Sequence, residues 1–310
     1  MENQTVITEF LLLGFSTIHN FKYFIFAIFL IFYIATLIGN SMVIATISCS
    51  RQLHSPMYFF LCNLSLSEIL FITNITPKML LVTLKEGDSI SVPECISQLL
   101  IMSALTNTEC SILTVMSYDR FLAICKPLHY SSIMDWKLQL HLALWSWILS
   151  FMATLCVVLQ IYFLQFCGPS EFDHYYCDFA PIIKHSCSDT YFLELEAFLF
   201  STPITLFPFI FIIVTYICIF IAIHQITSSI GRQKAFSTCS SHMAVVSLYY
   251  GTLVTIYVVP AVGHIRNINK LLSLLYTVVT PLLNPVVYSI RNHEIRMALA
   301  KFLFNKIFFF

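Results

Sequence analysis

Long apolar runs separated by short polar clusters dominate this chain. Residues 25–47 contain no charged side chain, residues 57–81 only Glu68 and Lys78, and residues 96–118 only Glu109. Asp, Glu, Lys and Arg are absent from residues 138–170, 197–231, 235–265 and 271–290. A helix needs roughly 20 predominantly apolar residues to cross a bilayer. Each run is long enough for one crossing and too short for two, so the pattern predicts seven transmembrane helices. Membrane strands would alternate polar and apolar positions over about ten residues, which these runs do not. Pro203, Pro208, Pro260, Pro281 and Pro285 fall in the later runs, where neighbouring helices can satisfy the freed carbonyls. The start, MENQTVITEF, lacks a basic segment followed by an apolar core and cleavage site. The first span is therefore expected to act as its own insertion signal.

Composition agrees with that pattern. Of the 310 residues, 58% are hydrophobic and 10% charged, against about 25% charged in soluble domains. Mean hydropathy is +0.82. These values exclude a soluble enzyme, a disordered chain and a nucleic-acid binder with a basic face. The formal net charge of zero hides an asymmetry. Arg51, Arg120, Lys126, Lys137, Arg232, Lys234, Arg291, Arg296, Lys301 and Lys306 lie on one side, with Asp119, Asp135 and Glu294, for a net +7. The other side carries a net −5, and Glu68 and Glu109 lie within the membrane. The positive-inside bias puts the C-terminus in the cytoplasm and the N-terminus outside. The sequon at Asn3 agrees, because glycosylation requires lumenal exposure. The expected layout is one domain over residues 1–310: an extracellular N-terminus to residue 23, a long extracellular loop over 162–195 and a cytoplasmic tail over 291–310. The fold class is an all-α membrane protein, a seven-transmembrane helix bundle with a short amphipathic cytoplasmic helix after the seventh span. Ile295, Leu299, Phe302 and Leu303 recur at helical spacing in that tail, with Arg296, Lys301 and Lys306 elsewhere. Such a helix suits the inner leaflet.

Seven of the eleven cysteines lie in spans or near the cytoplasmic face, where buried thiols act as small apolar packing groups. Cys95, Cys167, Cys177 and Cys187 fall in the extracellular half. Their even number in an oxidising compartment predicts two disulfides, and spacing leaves three connectivities open.

Charged side chains at mid-membrane cost about 2.5–3.5 kcal/mol on insertion scales and normally face the bundle interior. Glu68 lies roughly 16 Å along its span at 1.5 Å per residue, and Glu109 reaches a similar depth on the next helix. Two carboxylates at one level repel unless a cation sits between them or one is protonated. Asn40 and Asn284 occupy the same inner half. One reading is a sodium or proton site; the other is a protonated, hydrogen-bonded carboxyl that holds helices together. If Glu109 faces inward, Thr106, Met102 and Leu99 share its face, flanked by Ser103 and Asn107. An apolar interior with a few neutral polar groups suits a small-molecule pocket and equally suits ordinary membrane helix packing.

Eight collinear runs then give the chain a likeness: Gly39-Asn40, PMYFFL at 56–61, LSLSE at 64–68, PKML at 77–80, MSYDRFLAICKPLHY at 116–130, KAFSTCSSH at 234–242, YYGT at 249–252 and PLLNPVVYSIRN at 281–292. The chain resembles a rhodopsin-like G-protein-coupled receptor, specifically an odorant (olfactory) receptor of the tetrapod-expanded class. The resemblance implies that a small volatile odorant binds between the helices beneath the second extracellular loop. The cytoplasmic face would then engage the stimulatory olfactory G protein and raise cyclic AMP, at the plasma membrane of olfactory cilia. It also implies the pairs Cys95–Cys177 and Cys167–Cys187. The implied ligand set is Met102, Ser103, Thr106, Asn107, Phe179, Phe200, Ser201, Ile204, Leu253, Val254, Tyr257 and Thr277. Asp119 would restrain Arg120 at rest, with Tyr216 and Tyr288 as its active-state partners. Tyr250, Asn284 and Pro285 complete the implied activation switch. Asn40, Glu68, Glu109 and Asn284 are the candidate sodium ligands, and no other cofactor is expected.

Several residues depart from common receptor patterns. Met102 stands where aminergic receptors hold an acid, so an amine would lack its counter-ion. Ser103 stands where many odorant receptors carry His, and Glu68 replaces the commoner Asp. Asp119-Arg120 is followed by Phe121 rather than Tyr. Rival functions are a receptor of this fold for a non-odorant molecule, and a transporter or channel. The chain shows neither the repeats nor the charged midplane pathway of a transporter. An intramembrane enzyme would need a clustered polar centre, and the ten His are scattered.

Overall fold

The computed structural model describes residues 7–15, 19–258, 270, 272–291 and 293–307. Five long helices follow the apolar runs: α1 (Lys22–Cys49), α2 (Pro56–Lys85), α3 (Val92–Cys125), α5 (Trp136–Tyr162) and α7 (Tyr191–Gln225). Short helices α4 (Tyr130–Ile133) and α6 (Phe179–Lys184) lie in connections. Then come α8 (Ser229–Val258), a π-helical turn at Leu275–Val279, α9 (Thr280–Arg291) and α10 (His293–Ile307). Pro56 opens α2, where its missing N–H costs nothing. The Asp135 carboxylate accepts the Leu138 N–H at 2.8 Å and caps α5. Ser91 and Glu94 exchange hydrogen bonds at the start of α3 as a capping box.

Burial is uneven among the long helices. The most apolar windows of α2 and α3 are each 56% buried, against 22–28% for α1, α5 and α7. Exposed Ile, Leu and Phe side chains on the latter suit lipid contact. The two buried helices also carry Glu68 and Glu109.

The helices outrun the expected spans. α3 continues past the apolar run 96–118 to Cys125. α5 and α7 reach Tyr162 and Tyr191, leaving 163–190 as the connection between them. No element in it was expected, yet it contains α6 and a strand. A small sheet thus adds to the all-α expectation.

The chain divides into two compact units. The first comprises residues 1–33, 70–108 and 147–205; the second comprises 34–69, 109–146 and 206–310.

In the first unit, strands β1 (Glu9–Leu12), β2 (Asp88–Ser91) and β3 (Glu171–Phe172) form a sheet of order β2-β1-β3. β1 pairs antiparallel with β2, Phe10 opposite Ile90, and parallel with β3. Phe10 and Leu12 are fully buried, and Phe10 packs against Phe166, Phe172 and His185 at 5.5–5.6 Å. The His185 ring nitrogens lie 2.9 Å from the Pro181 carbonyl and 3.1 Å from that of Glu171. The Asp88 carboxylate accepts from Lys78 and, at 2.9 Å, from Lys85. Lys78, one of the few charges in the second apolar run, is thereby paired beside the sheet. Glu86 ends α2 in the left-handed region (φ 61°) while its carboxylate takes Lys22 at 2.6 Å. Disulfides join Cys95 to Cys177 and Cys167 to Cys187.

In the second unit, a Cβ added at Gly39 would lie 3.1 Å from the Pro285 ring, so glycine lets α1 and α9 approach closely. α10 docks through buried Ile295 and a 2.9 Å bond from the Tyr58 hydroxyl to Glu294, leaving Arg296 and Lys301 exposed.

Candidate ligand and signalling sites

The first unit holds eight residues of the expected ligand set. On α3, Met102 is buried and Ser103, Thr106 and Asn107 are half-buried. Residues three and four apart share a helix face, so Gln98, Met102 and Thr106 form one stripe. The Thr106 hydroxyl donates to the Met102 carbonyl at 2.9 Å. The Asn107 amide donates to the Thr154 hydroxyl of α5 at 3.1 Å, so it also braces two helices. Phe179 opens α6, where the Asp178 carboxylate accepts its N–H at 2.8 Å. On α7, Ile204 is half-buried, whereas Phe200 and Ser201 are exposed. In the second unit, Leu253 and Thr277 are buried. The side chains of Val254 and Tyr257, and the sequon residue Asn3, lie outside the described residues.

Above that stripe, the buried Gln98 amide donates to the Asn74 carbonyl at 3.0 Å and accepts the Cys177 N–H at 2.9 Å. The Asn74 amide returns a 3.0 Å bond to the Gln98 carbonyl. Gln98 was not among the expected site residues.

The second unit contains the candidate cation ligands. The Asn284 amide donates to Glu68 Oε1. The Asn40 amide donates to the carbonyls of Thr36 and Pro281 at 3.2 and 3.4 Å. The Ser67 hydroxyl donates to Glu109 Oε1 at 3.5 Å. All four expected residues are at most 4% exposed. Asn40 Oδ1, Glu68 Oε2 and Asn284 Oδ1 are buried without a hydrogen-bond partner. Unsatisfied buried acceptors carry a desolvation cost, and oxygen donors of this kind are what a hard cation coordinates. The residues therefore fit such an ion. Among the described residues, no group of three or more His, Cys, Asp or Glu is placed to hold a metal by itself.

Arg120 donates from Nη2 and Nε to Asp119 Oδ2 at 2.5 and 3.0 Å. Asp119 is fully buried, and its other oxygen accepts the Tyr130 hydroxyl of α4 at 2.8 Å. Both carboxylate oxygens are thus engaged. The Tyr216 hydroxyl meets His242 Nδ1 at 2.5 Å, and the two rings stack 5.6 Å apart. The Tyr288 hydroxyl is buried without a partner. Tyr250 is buried against Phe209 at 4.8 Å, and its neighbour Tyr249 accepts from the Cys110 thiol at 3.4 Å. Phe121, Ile124, Cys125, Cys218, Ile221, Ala222, Gln225 and Ile226 line an open cleft of about 510 Å³ between α3 and α7.

Tyr130 and His242 were readable only as motif letters, at the ends of MSYDRFLAICKPLHY and KAFSTCSSH. Their roles emerge from contacts between elements, which no single helix face specifies.

Comparison with known proteins supports the same assignment. The family model for the olfactory receptor matches residues 29–306. Human olfactory receptor 10A3 is 41% identical over 306 residues, covering 99% of this chain and 98% of the relative. Human olfactory receptor 6X1 is 44% identical over 301 residues, covering 97% and 96%. Human olfactory receptor 6B1 is 42% identical over the same length, covering 97% and 96%. The chain belongs to the olfactory receptor family and is a seven-transmembrane receptor, not an enzyme, that binds odorant and acts through a G protein.

Proposed function

We propose that the odorant is small, mostly apolar and uncharged, and that it binds along the α3 stripe beneath the disulfide-bonded loop. The observation that carries this is the stripe itself: Met102, Ser103, Thr106 and Asn107 provide hydrogen-bonding groups and no ionisable one. A charged ligand would have to leave water without a counter-ion, which is costly. A methylene discriminates by only about 1–3 kcal/mol, so the preferred compound depends on contacts finer than this class.

The receptor stands with its N-terminus outside and its tail in the cytoplasm. The positive-inside asymmetry supports this orientation. The sheet requires the N-terminal segment and the α2–α3 and α5–α7 connections to share one face, so the same asymmetry puts all three outside. The partner is the stimulatory olfactory G protein, read out as cyclic AMP at the plasma membrane. Release of Arg120 from Asp119 exposes a cation on the cytoplasmic side, with Tyr216 and Tyr288 as the residues to receive it. A sodium ion, when bound, would offset one negative charge of the buried Glu68–Glu109 pair, held by oxygens of Asn40, Glu68 and Asn284 with Glu109 beside them.

Cells carrying a cyclic AMP reporter, exposed to a volatile panel with neutral, amine and acid members, test this reading. Neutral compounds should dominate the responses. Activation confined to amines or acids would refute the ligand class, and ion flux without cyclic AMP would refute the signalling route.

A further inference from the structure

A single disulfide fixes one point of a loop and leaves it free to pivot about the sulfur–sulfur bond. Here the loop residue Cys177 is held twice on α3. Its sulfur bonds Cys95, and its backbone N–H donates to Gln98 Oε1 at 2.9 Å, three residues further along the same helix. Positions i and i+3 are neighbours on one helix face, so the two attachments lie nearly one turn apart and oppose that pivot.

The Gln98 side chain cannot turn over. Its Nε2 donates to the Asn74 carbonyl at 3.0 Å, which only the nitrogen can do, and this directs Oε1 to the Cys177 N–H. The Asn74 amide closes the cycle by donating to the Gln98 carbonyl at 3.0 Å. Gln98 is 6% exposed and Cys177 fully buried, so water competes poorly for these bonds. Gln98 thereby joins α2, α3 and the loop. Its own stripe continues to Met102 and Thr106, four and eight residues on, while Phe179 lies two residues beyond Cys177.

We propose that Gln98 is a positioning residue for ligand selection. It sets the register of Cys177-Asp178-Phe179 along α3, and so how long a ligand the stripe beneath can accept. This rests on the reading that odorant binds beneath the loop. The disulfide alone keeps the loop attached; Gln98 determines where along α3 it rests.

The test uses Gln98→Asn, which keeps the amide but shortens its reach by one methylene, and Gln98→Met, which removes both polar groups. Each is assayed for cyclic AMP against straight-chain aldehydes and alcohols of increasing length, with surface expression matched. The EC50 for the best wild-type agonist should rise about three- to tenfold, the size of one or two lost neutral hydrogen bonds. The preferred chain length should also shift. Unchanged EC50 values, or equal shifts at every length, would overturn the proposal, because generalised loosening would not reorder the series.

Hydrogen exchange on purified wild-type receptor supplies a readout that needs neither ligand nor variant folding. The Cys177 amide should be protected, and exchange at the rate of an open loop would overturn the clamp. If the wild type responds to no neutral member of the volatile panel while this amide is protected, the ligand reading fails and the clamp stands.

Discussion

Replacing Tyr130 with Phe removes one atom and one hydrogen bond, which makes it a clean probe of the Asp119–Arg120 pair. The lost contact is a 2.8 Å O–H···O⁻ bond to a carboxylate that is fully buried. Burial, and then the adjacent Asp119 carboxylate, push the Tyr130 phenol above its ordinary range, so it remains a protonated donor at physiological pH. Hydrogen bonds to charged groups contribute about 1.5–3 kcal/mol. Tyr130 is only half-buried, which favours the low end. If the pair is made only in the resting state, a loss of about 1.4 kcal/mol shifts the resting–active equilibrium about tenfold. The assay is basal cyclic AMP, without odorant, at matched surface expression. Tyr130→Phe should raise it several-fold, up to that limit, and leave the ratio of agonist potencies unchanged. Unchanged or lower basal output in a receptor that still responds to agonist would refute the claim that this bond belongs to the resting state.

Gly39→Val should lower the thermal stability of detergent-solubilised receptor by about 1–3 kcal/mol, the usual cost of overpacking, because its side chain meets the Pro285 ring; an unchanged melting curve would refute that contact. Glu68→Gln should remove any dependence of agonist potency on sodium, measured by exchanging sodium for a large organic cation; retained dependence would exclude Glu68 as a ligand. The Lys78 hydrogen bond, with Lys85 behind it, holds the Asp88 carboxyl below its ordinary range. Its stabilisation is therefore complete above the unfolded value of about 3.9 and is lost as pH falls through the lower folded value. Acid unfolding of purified receptor should show this limb, and Asp88→Asn should flatten it.

The spans are legible in the sequence because a charge-free run of this length has few alternatives to a membrane helix. Glu68, Glu109, Asn40 and Asn284 are legible as inner-level polar groups for a related reason: each is conspicuous in apolar surroundings. Their partners are not. That Ser67 meets Glu109, or that His242 meets Tyr216, depends on the rotation of one helix against another, and an apolar helix in lipid carries little amphipathic signal to set it. The sheet is hidden by its size, since strands of two to four residues show no period. Gln98 reads as one more polar residue near the end of a span, and its importance lies in three simultaneous bonds. SVPE at 91–94, by contrast, is a capping box that local spacing alone makes readable.

The strand order of the small sheet has a consequence for the birth of the protein. β1 is the middle strand, yet it leaves the ribosome first. One partner, β2, follows from residue 88, and the other, β3, only from residue 171. Until both arrive, Phe10 and Leu12 have no core to enter, and the outer edges of β1 are unpaired. Loop closure across so many residues is slow compared with local helix formation, so the cap is the last part of this unit to set. A receptor halted after α3 would carry two strands of three and no disulfide from Cys95 to Cys177. Whatever escorts the nascent chain must tolerate an apolar N-terminal strand for the time taken to make four helices, which gives Glu9–Leu12 a bearing on receptor yield as well as shape.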